Sequence, residues 1–224
     1  MPLKPPKIEG IKIELIPEGS YYAVCYAVVD LGTRTKEYMG NEKDVHELLI
    51  SFELPKQRIT IERDGNEIDM PKVCSMTNTF SMHEKANLRK YIETWRGKSL
   101  TELEAQDFDF EKLLGIDAMI QILHRKSKDG SKTYANISSI TPPDSGIKKC
   151  KTENEHIFYT FQNGLKFSES MHDWIKEKIM NSKEALMIMD ARRDFDAEVI
   201  EPNMPDFSEE TSEEDIPLEE DIPF

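Results

Sequence analysis

Cations alternate with aromatics in two stretches of the sequence. Arg34, Lys36 and Lys43 flank Tyr38, and Arg125, Lys126, Lys128 and Lys132 are followed by Tyr134. Such side chains suit a flexible polyanion that carries planar groups. Cations neutralise phosphates while bases stack on the aromatic faces, each stack contributing about 1–3 kcal/mol. Arg58 and Arg63 are further candidate phosphate contacts. An exposed hairpin also tends to carry Lys for solubility alone, so neither stretch is specific by itself. Catalysis has no comparable footing. There is no paired metal-ligand spacing, no phosphate-cradling Gly loop and no nucleophile–base arrangement. The reading is therefore non-enzymatic, with no catalytic residue, no metal site and no cofactor. Cys25, Cys74 and Cys150 are odd in number and far apart, and they read as reduced thiols with Cys25 and Cys74 in the core. The five histidines are scattered as well.

A second kind of chemistry sits at the other end. Glu213-Glu214-Asp215-Ile216-Pro217-Leu218-Glu219-Glu220-Asp221-Ile222-Pro223-Phe224 is a carboxylate run closing on an aromatic. Pro223 holds the backbone extended, Phe224 suits a pocket, and the acids suit a basic rim. Asp221, Ile222, Pro223 and Phe224 form a candidate partner-binding plug. This tip resembles the acidic C-terminal tip of bacterial single-stranded DNA-binding proteins, matching all four positions of Asp-Ile-Pro-Phe. The resemblance implies recruitment of replication, recombination and repair proteins. It departs from that family in lacking a long Gly-, Gln- and Pro-rich linker before the tip.

The net charge of −14 over 224 residues is unevenly placed. Residues 201–224 hold ten acids and no Lys or Arg, leaving 33 acids against 29 bases over residues 1–200, a net of −4 there. A low pI therefore does not exclude nucleic acid, but it requires local basic loops. The N-terminus has no apolar signal region and no run is long enough to span a membrane, so a cytoplasmic, soluble protein is expected.

The elements that must position these residues follow from periodicity. Residues 1–9 are Pro- and Lys-rich and expected to be loose. Tyr21–Leu31 is β-branched and aromatic on both parities, which predicts a central strand or one bent to serve two sheets. Residues 32–44 read as a polar connection. Val45–Leu54 alternates, with His46, Leu48, Ile50, Phe52 and Leu54 on one face and Glu47, Ser51 and Glu53 on the other, and Pro55 is expected to end it. Arg58–Arg63 runs into Asp64-Gly65-Asn66, the signal of a β-ribbon. Residues 72–80 alternate again, with Cys74, Met76 and Phe80 inward. Ser81 and Glu84 have capping-box spacing ahead of a helix with Leu88, Tyr91, Ile92 and Trp95 on one stripe and Gly97 as its stop. Two short helices near 100–106 and 109–114 come next, then a strand on Ile116–Ile122 and another on Lys132–Ile140, joined by the basic 125–132 turn. Beyond Pro142, a short strand with Ile157, Tyr159 and Phe161 and a helix with Met171, Trp174, Ile175 and Ile179 behind Ser170 are expected. Trp95 and Trp174 read as structural.

Strand, strand, strand, helix, strand, strand is the order of an OB-fold, a five-stranded Greek-key barrel with a helix between strands three and four. The expected organisation is a flexible 1–9, an OB-fold domain over 10–145, a helical C-terminal extension over 146–190 packed on the barrel, and a disordered acidic tail over 191–224. OB-folds bind oligonucleotides on strands two and three and the loops joining strands one to two and four to five, and both of those loops are basic here.

The body also resembles single-stranded DNA-binding proteins of tailed bacteriophages. The resemblance rests on Tyr22–Thr35, Leu48–Pro55, Leu88–Lys98 and Phe110–His124. It implies a protein that coats single-stranded DNA in phage replication or recombination, within the bacterial host cytoplasm. Region 146–190 has no counterpart in the simplest OB-fold proteins. A homo-oligomer is compatible with the sequence. The rival expectation is an OB-fold adaptor or acidic decoy that occupies host tip-binding proteins without binding DNA.

Overall fold

The apolar run Tyr21–Leu31 lies within β1 (Gly19–Tyr38), which has neighbours along both edges and a hydrophobic core on each face. The computed structural model describes residues 14–38, 40–63, 65–127 and 129–199. Along one edge β1 pairs with β2 (Asn41–Arg63), which pairs in turn with β3 (Asn66–Thr79). Along the other edge Gly19–Val24 pairs with β4 (Asp117–Lys126), which pairs with β5 (Thr133–Thr141). Past Val24, β4 gives way to β6 (Ile157–Tyr159), which runs parallel to Ala27–Val29. The handover occurs at a bulge between Cys25 and Ala27, where Cys25 exchanges backbone bonds with Ile116 and Gly115 at 3.0 and 2.8 Å. β6 thereby pairs backbone groups of β1 that would otherwise be buried without partners.

Among the described residues the result is a mostly β, six-stranded sheet in the order β3–β2–β1–β4–β5, antiparallel along that path, with four α-helices. It is not the closed barrel that the element order led us to expect. β3 and β5 approach each other, with Cys74 Sγ 3.9 Å from the carbonyl of Ala135, but they form no ladder. Instead α1 (Asn87–Arg96) lies against both strands. Its Leu88, Ile92 and Trp95 enter the same core as Cys74, Met76, Ile137 and Ile140, so this core is sealed by side chains at its open seam.

Several boundaries differ from the periodicity. Residues 32–44 are not a loose connection: β1 and β2 continue to a turn closed by the Tyr38–Asn41 pair, with Gly40 at φ +79°. A positive φ is what a tight hairpin turn requires. Pro55 does not end β2, because Leu54 and Arg58 oppose consecutive residues of β3, leaving 55–57 in a bulge where a missing N–H is tolerated. The capping box at Ser81 does not form. α1 starts behind Ala86, and Ser81 Oγ accepts a 3.4 Å bond from the His83 amide. The reciprocal box is at Thr101 and Glu104, opening α2 (Glu102–Gln106). Gly97 ends α1 as expected, and Phe110–Leu113 is a 3-10 turn.

The second core lies on the other face of β1. Tyr26, Val29, Leu31 and Leu49 meet Ile157 and Tyr159 of β6 and Met171, Ile175 and Ile179 around α3 (Asp173–Met180). Phe161 belongs to a 3-10 turn and not to β6. α3 starts behind His172, without a Ser170 cap, and Trp174 is 43% exposed, off the buried stripe. Helix α4 (Lys183–Val199) carries the chain past 190, into the start of the stretch expected to be a disordered tail. The chain divides into two compact units after Met189, and the second contains an Asp190–Arg193 ion pair. Among the described residues no helix is long and apolar enough to cross a membrane.

Candidate nucleic-acid interface

Strand pairing decides where each basic stretch projects. β2 runs antiparallel to β1 from the Tyr38–Asn41 turn to the Val24–Glu53 pair and continues past the start of β1. β4 pairs Ile122 with Gly19, so Leu123–Lys126 also continues past the start of β1. The β2–β3 ribbon and the β4–β5 hairpin therefore extend beyond one end of β1, and the β1–β2 turn extends beyond the other. The two basic loops named from the sequence do not share an end; the partner of the 125–134 hairpin is the ribbon.

Between ribbon and hairpin lies an open groove of about 560 Å³. Ile59, Ile61, Met70 and Val73 form one wall, and Tyr134 and Asn136 form the other. Tyr134 is 48% exposed. It pairs directly with Arg125, and opposed residues share a face of the sheet, so a cation stands beside the ring. Arg125, Lys126 and Lys132 are exposed and have no carboxylate partner among the described residues. Lys72, which the sequence reading passed over as a strand residue, also lines the groove.

The hairpin tip is ordered by an acid. The Asp129 carboxylate accepts bonds from the Ser127 hydroxyl and from the hydroxyl and amide of Ser131, which push its pKa down to about 2. On the ribbon, Arg58 is engaged by Glu153 at 2.5 Å and Asp69 at 2.8 Å, which ties the ribbon to the C-terminal extension and removes its charge from an open phosphate site. Lys128 and the side chain of Arg63 lie outside the described residues.

At the other end, Arg34 and Lys36 both bind the buried Glu47 carboxylate. Burial pushes this carboxyl upward, but bonds from Lys36 and Arg34 outweigh it and hold the pKa below the ordinary value. Arg34 is thus chiefly an internal counter-ion. Lys36 remains half-exposed, and Lys43, opposite it in register, is exposed without an acidic partner among the described residues. The side chain of Tyr38 lies outside the described residues. Trp174 and Lys178 of α3 stand close by, with Lys178 Nζ 5.1 Å from the Trp174 ring centroid. Sequence reasoning missed both because Trp174 shares a helix with the apolar Ile175 and Ile179; its polar neighbours His172 and Asp173 were the available signal.

This arrangement can neutralise phosphates and stack planar groups. The two core thiols are not activated: burial raises the pKa of Cys25 and pushes Cys74 up to about 11. Among the described residues no group of three or more His, Cys, Asp or Glu side chains can hold a metal ion. The plug residues Asp221, Ile222, Pro223 and Phe224 lie outside the described residues. The sequence matches no protein-family model and no curated protein.

Proposed function

We propose that this chain is a non-catalytic, sequence-independent single-stranded DNA-binding protein. In this reading the sheet and α1 form an open OB-fold, supported by the order β3–β2–β1–β4–β5 with α1 falling between β3 and β4. The acidic segment ending in Asp221–Phe224 recruits proteins of replication, recombination or repair, which rests on its resemblance to the bacterial tip. The observation that carries DNA binding is the groove itself. It is an apolar trough with a half-exposed tyrosine on its wall and three cations on the adjoining hairpin that have no acid partner among the described residues. A single strand fits this chemistry because its bases are free to stack on Tyr134 while its phosphates meet Arg125, Lys126 and Lys132. A duplex keeps its bases stacked inside and offers only phosphates.

The test is a fluorescence titration of the full chain with oligo-dT and with duplex of equal length, repeated from about 25 to about 200 mM salt. Single strands should bind more tightly, with log affinity falling against log salt by about 0.7 per phosphate neutralised. Tyr134→Ala should weaken binding by about 1–3 kcal/mol, and Tyr134→Phe should retain most of it. An affinity for oligo-dT that does not respond to salt would overturn this mechanism.

A further inference from the structure

The polyanion chemistry of the chain extends beyond the groove. At the β1–β2 end, Gly32, Arg34 and Lys36 alternate along β1 and so share one face. That face meets the α3–α4 corner: a Cβ on Gly32 would lie 2.6 Å from Ser182 Cβ. Glu184 accepts bonds from the amide and hydroxyl of Thr33, and Lys183 binds Asp44 at 2.5 Å. The corner is therefore fastened to the hairpin, which fixes the preceding turn of α3 beside it.

Three cations, Arg34, Lys36 and Lys178, act on one buried acid there, and Lys43 lies further along the same face. Glu47 is opposite Gly32 in register, and Lys43 is opposite Lys36. Lys178 has its pKa lowered by burial, and by Arg34 and Lys36 against the opposing pull of Glu47. Arg34 Nε is buried with no hydrogen-bond partner. Repulsion among like charges at such a site is relieved by a bound anion. Trp174 lies under the Lys178 ammonium while remaining 43% exposed, so an aromatic surface adjoins the positive charge.

We propose that Trp174 and Lys178 of α3, together with Lys36 and Lys43 of the β1–β2 hairpin, form a second station for single-stranded DNA, at which Trp174 stacks on a base and the cations take the flanking phosphates. Arg34 is a positioning residue that holds Glu47 and Lys36 in place. This inference rests on the single-strand-binding reading above, and it adds a surface supplied by the C-terminal extension.

Two tryptophans make the experiment specific. Trp95 is buried and donates its indole N–H to the Asp117 carbonyl at 2.9 Å, leaving Trp174 as the exposed reporter. Oligo-dT should quench the intrinsic fluorescence of the full chain, and Trp174→Phe should remove that quenching while largely preserving affinity. Trp174→Ala should weaken oligo-dT binding about tenfold, and Lys178→Gln should lower the salt slope by about 0.7. Urea unfolding of each variant establishes that the fold is intact. If the full chain binds oligo-dT without quenching and Tyr134→Ala weakens that binding, yet Trp174→Ala binds like wild type, the second station is wrong and the groove stands. If the wild-type chain binds no oligonucleotide, both readings fall.

Discussion

Glu53 shows how one residue joins the two halves of the fold. It is fully buried, yet among the described residues its carboxylate has no Lys or Arg partner. Its charge is met by the amides of Glu153 and Asn154 at 2.8–3.0 Å and by Asn154 Nδ2 at 2.7 Å. A buried carboxylate tolerates desolvation when several N–H donors point at it. Removing it leaves those donors unpaired, so Glu53→Ala should cost about 3–5 kcal/mol in urea unfolding. Glu53→Gln keeps the shape and one acceptor and should cost less. If Glu53→Ala unfolds at the wild-type midpoint, the 153–154 segment is not held by this residue.

Among the elements, the α3–α4 corner depends on Gly32. Its φ of +72° lies in the left-handed region, and a side chain there would meet Ser182 and Glu184. The residue is thus required twice, by backbone conformation and by the closeness of the corner. Gly32→Ala should destabilise the chain by about 2–4 kcal/mol, combining backbone strain with overpacking. Adding Ser182→Gly should recover only the steric part, since the strained φ persists. Full recovery in the double variant would show that the backbone conformation carries no cost. The same corner positions Trp174 and Lys178, so its loosening should also reduce the fluorescence response to oligo-dT.

For the whole molecule, charge distribution matters more than total charge. Ten acids within residues 201–224 account for most of the net −14, against −4 over residues 1–200. A polyanionic ligand approaching Arg125, Lys126, Lys132 and Lys43 meets long-range repulsion from those acids, and salt screens it. Deleting 201–224 should tighten oligo-dT binding at about 25 mM salt, with the difference shrinking as the Debye length falls to about 8 Å near physiological salt. Equal affinity at low salt would show that these acids do not act on the binding surface. Under the recruiting role proposed for Asp221–Phe224, the same deletion should abolish pull-down of tip-binding proteins while leaving oligo-dT binding in place.

What the amino-acid sequence determined by itself was each element with one buried face. Alternation at Val45–Leu54 and 72–80, the apolar stripe of α1, and the two-sided burial of Tyr21–Leu31 are written locally, because a period of two or 3.6 follows from where side chains point. The exposed Tyr134 and the basic 125–132 hairpin were legible for the same reason. Tertiary structure alone decided the rest. The β1–β2 hairpin beyond Leu31 carries no buried stripe, so no period betrayed it. Glu47, Ser51 and Glu53 share the polar face of the alternation, yet all three are buried, because Arg34 and Lys36 meet Glu47, Ser75 meets Ser51 and the 153–154 segment meets Glu53. Whether a cation is open to a ligand or bound to an internal acid depends on partners distant in the chain: Arg58 meets Glu153, whereas Arg125 meets no acid among the described residues. The open β3–β5 seam likewise follows from how the sheet curves around α1, a property of the packed chain that no single segment encodes.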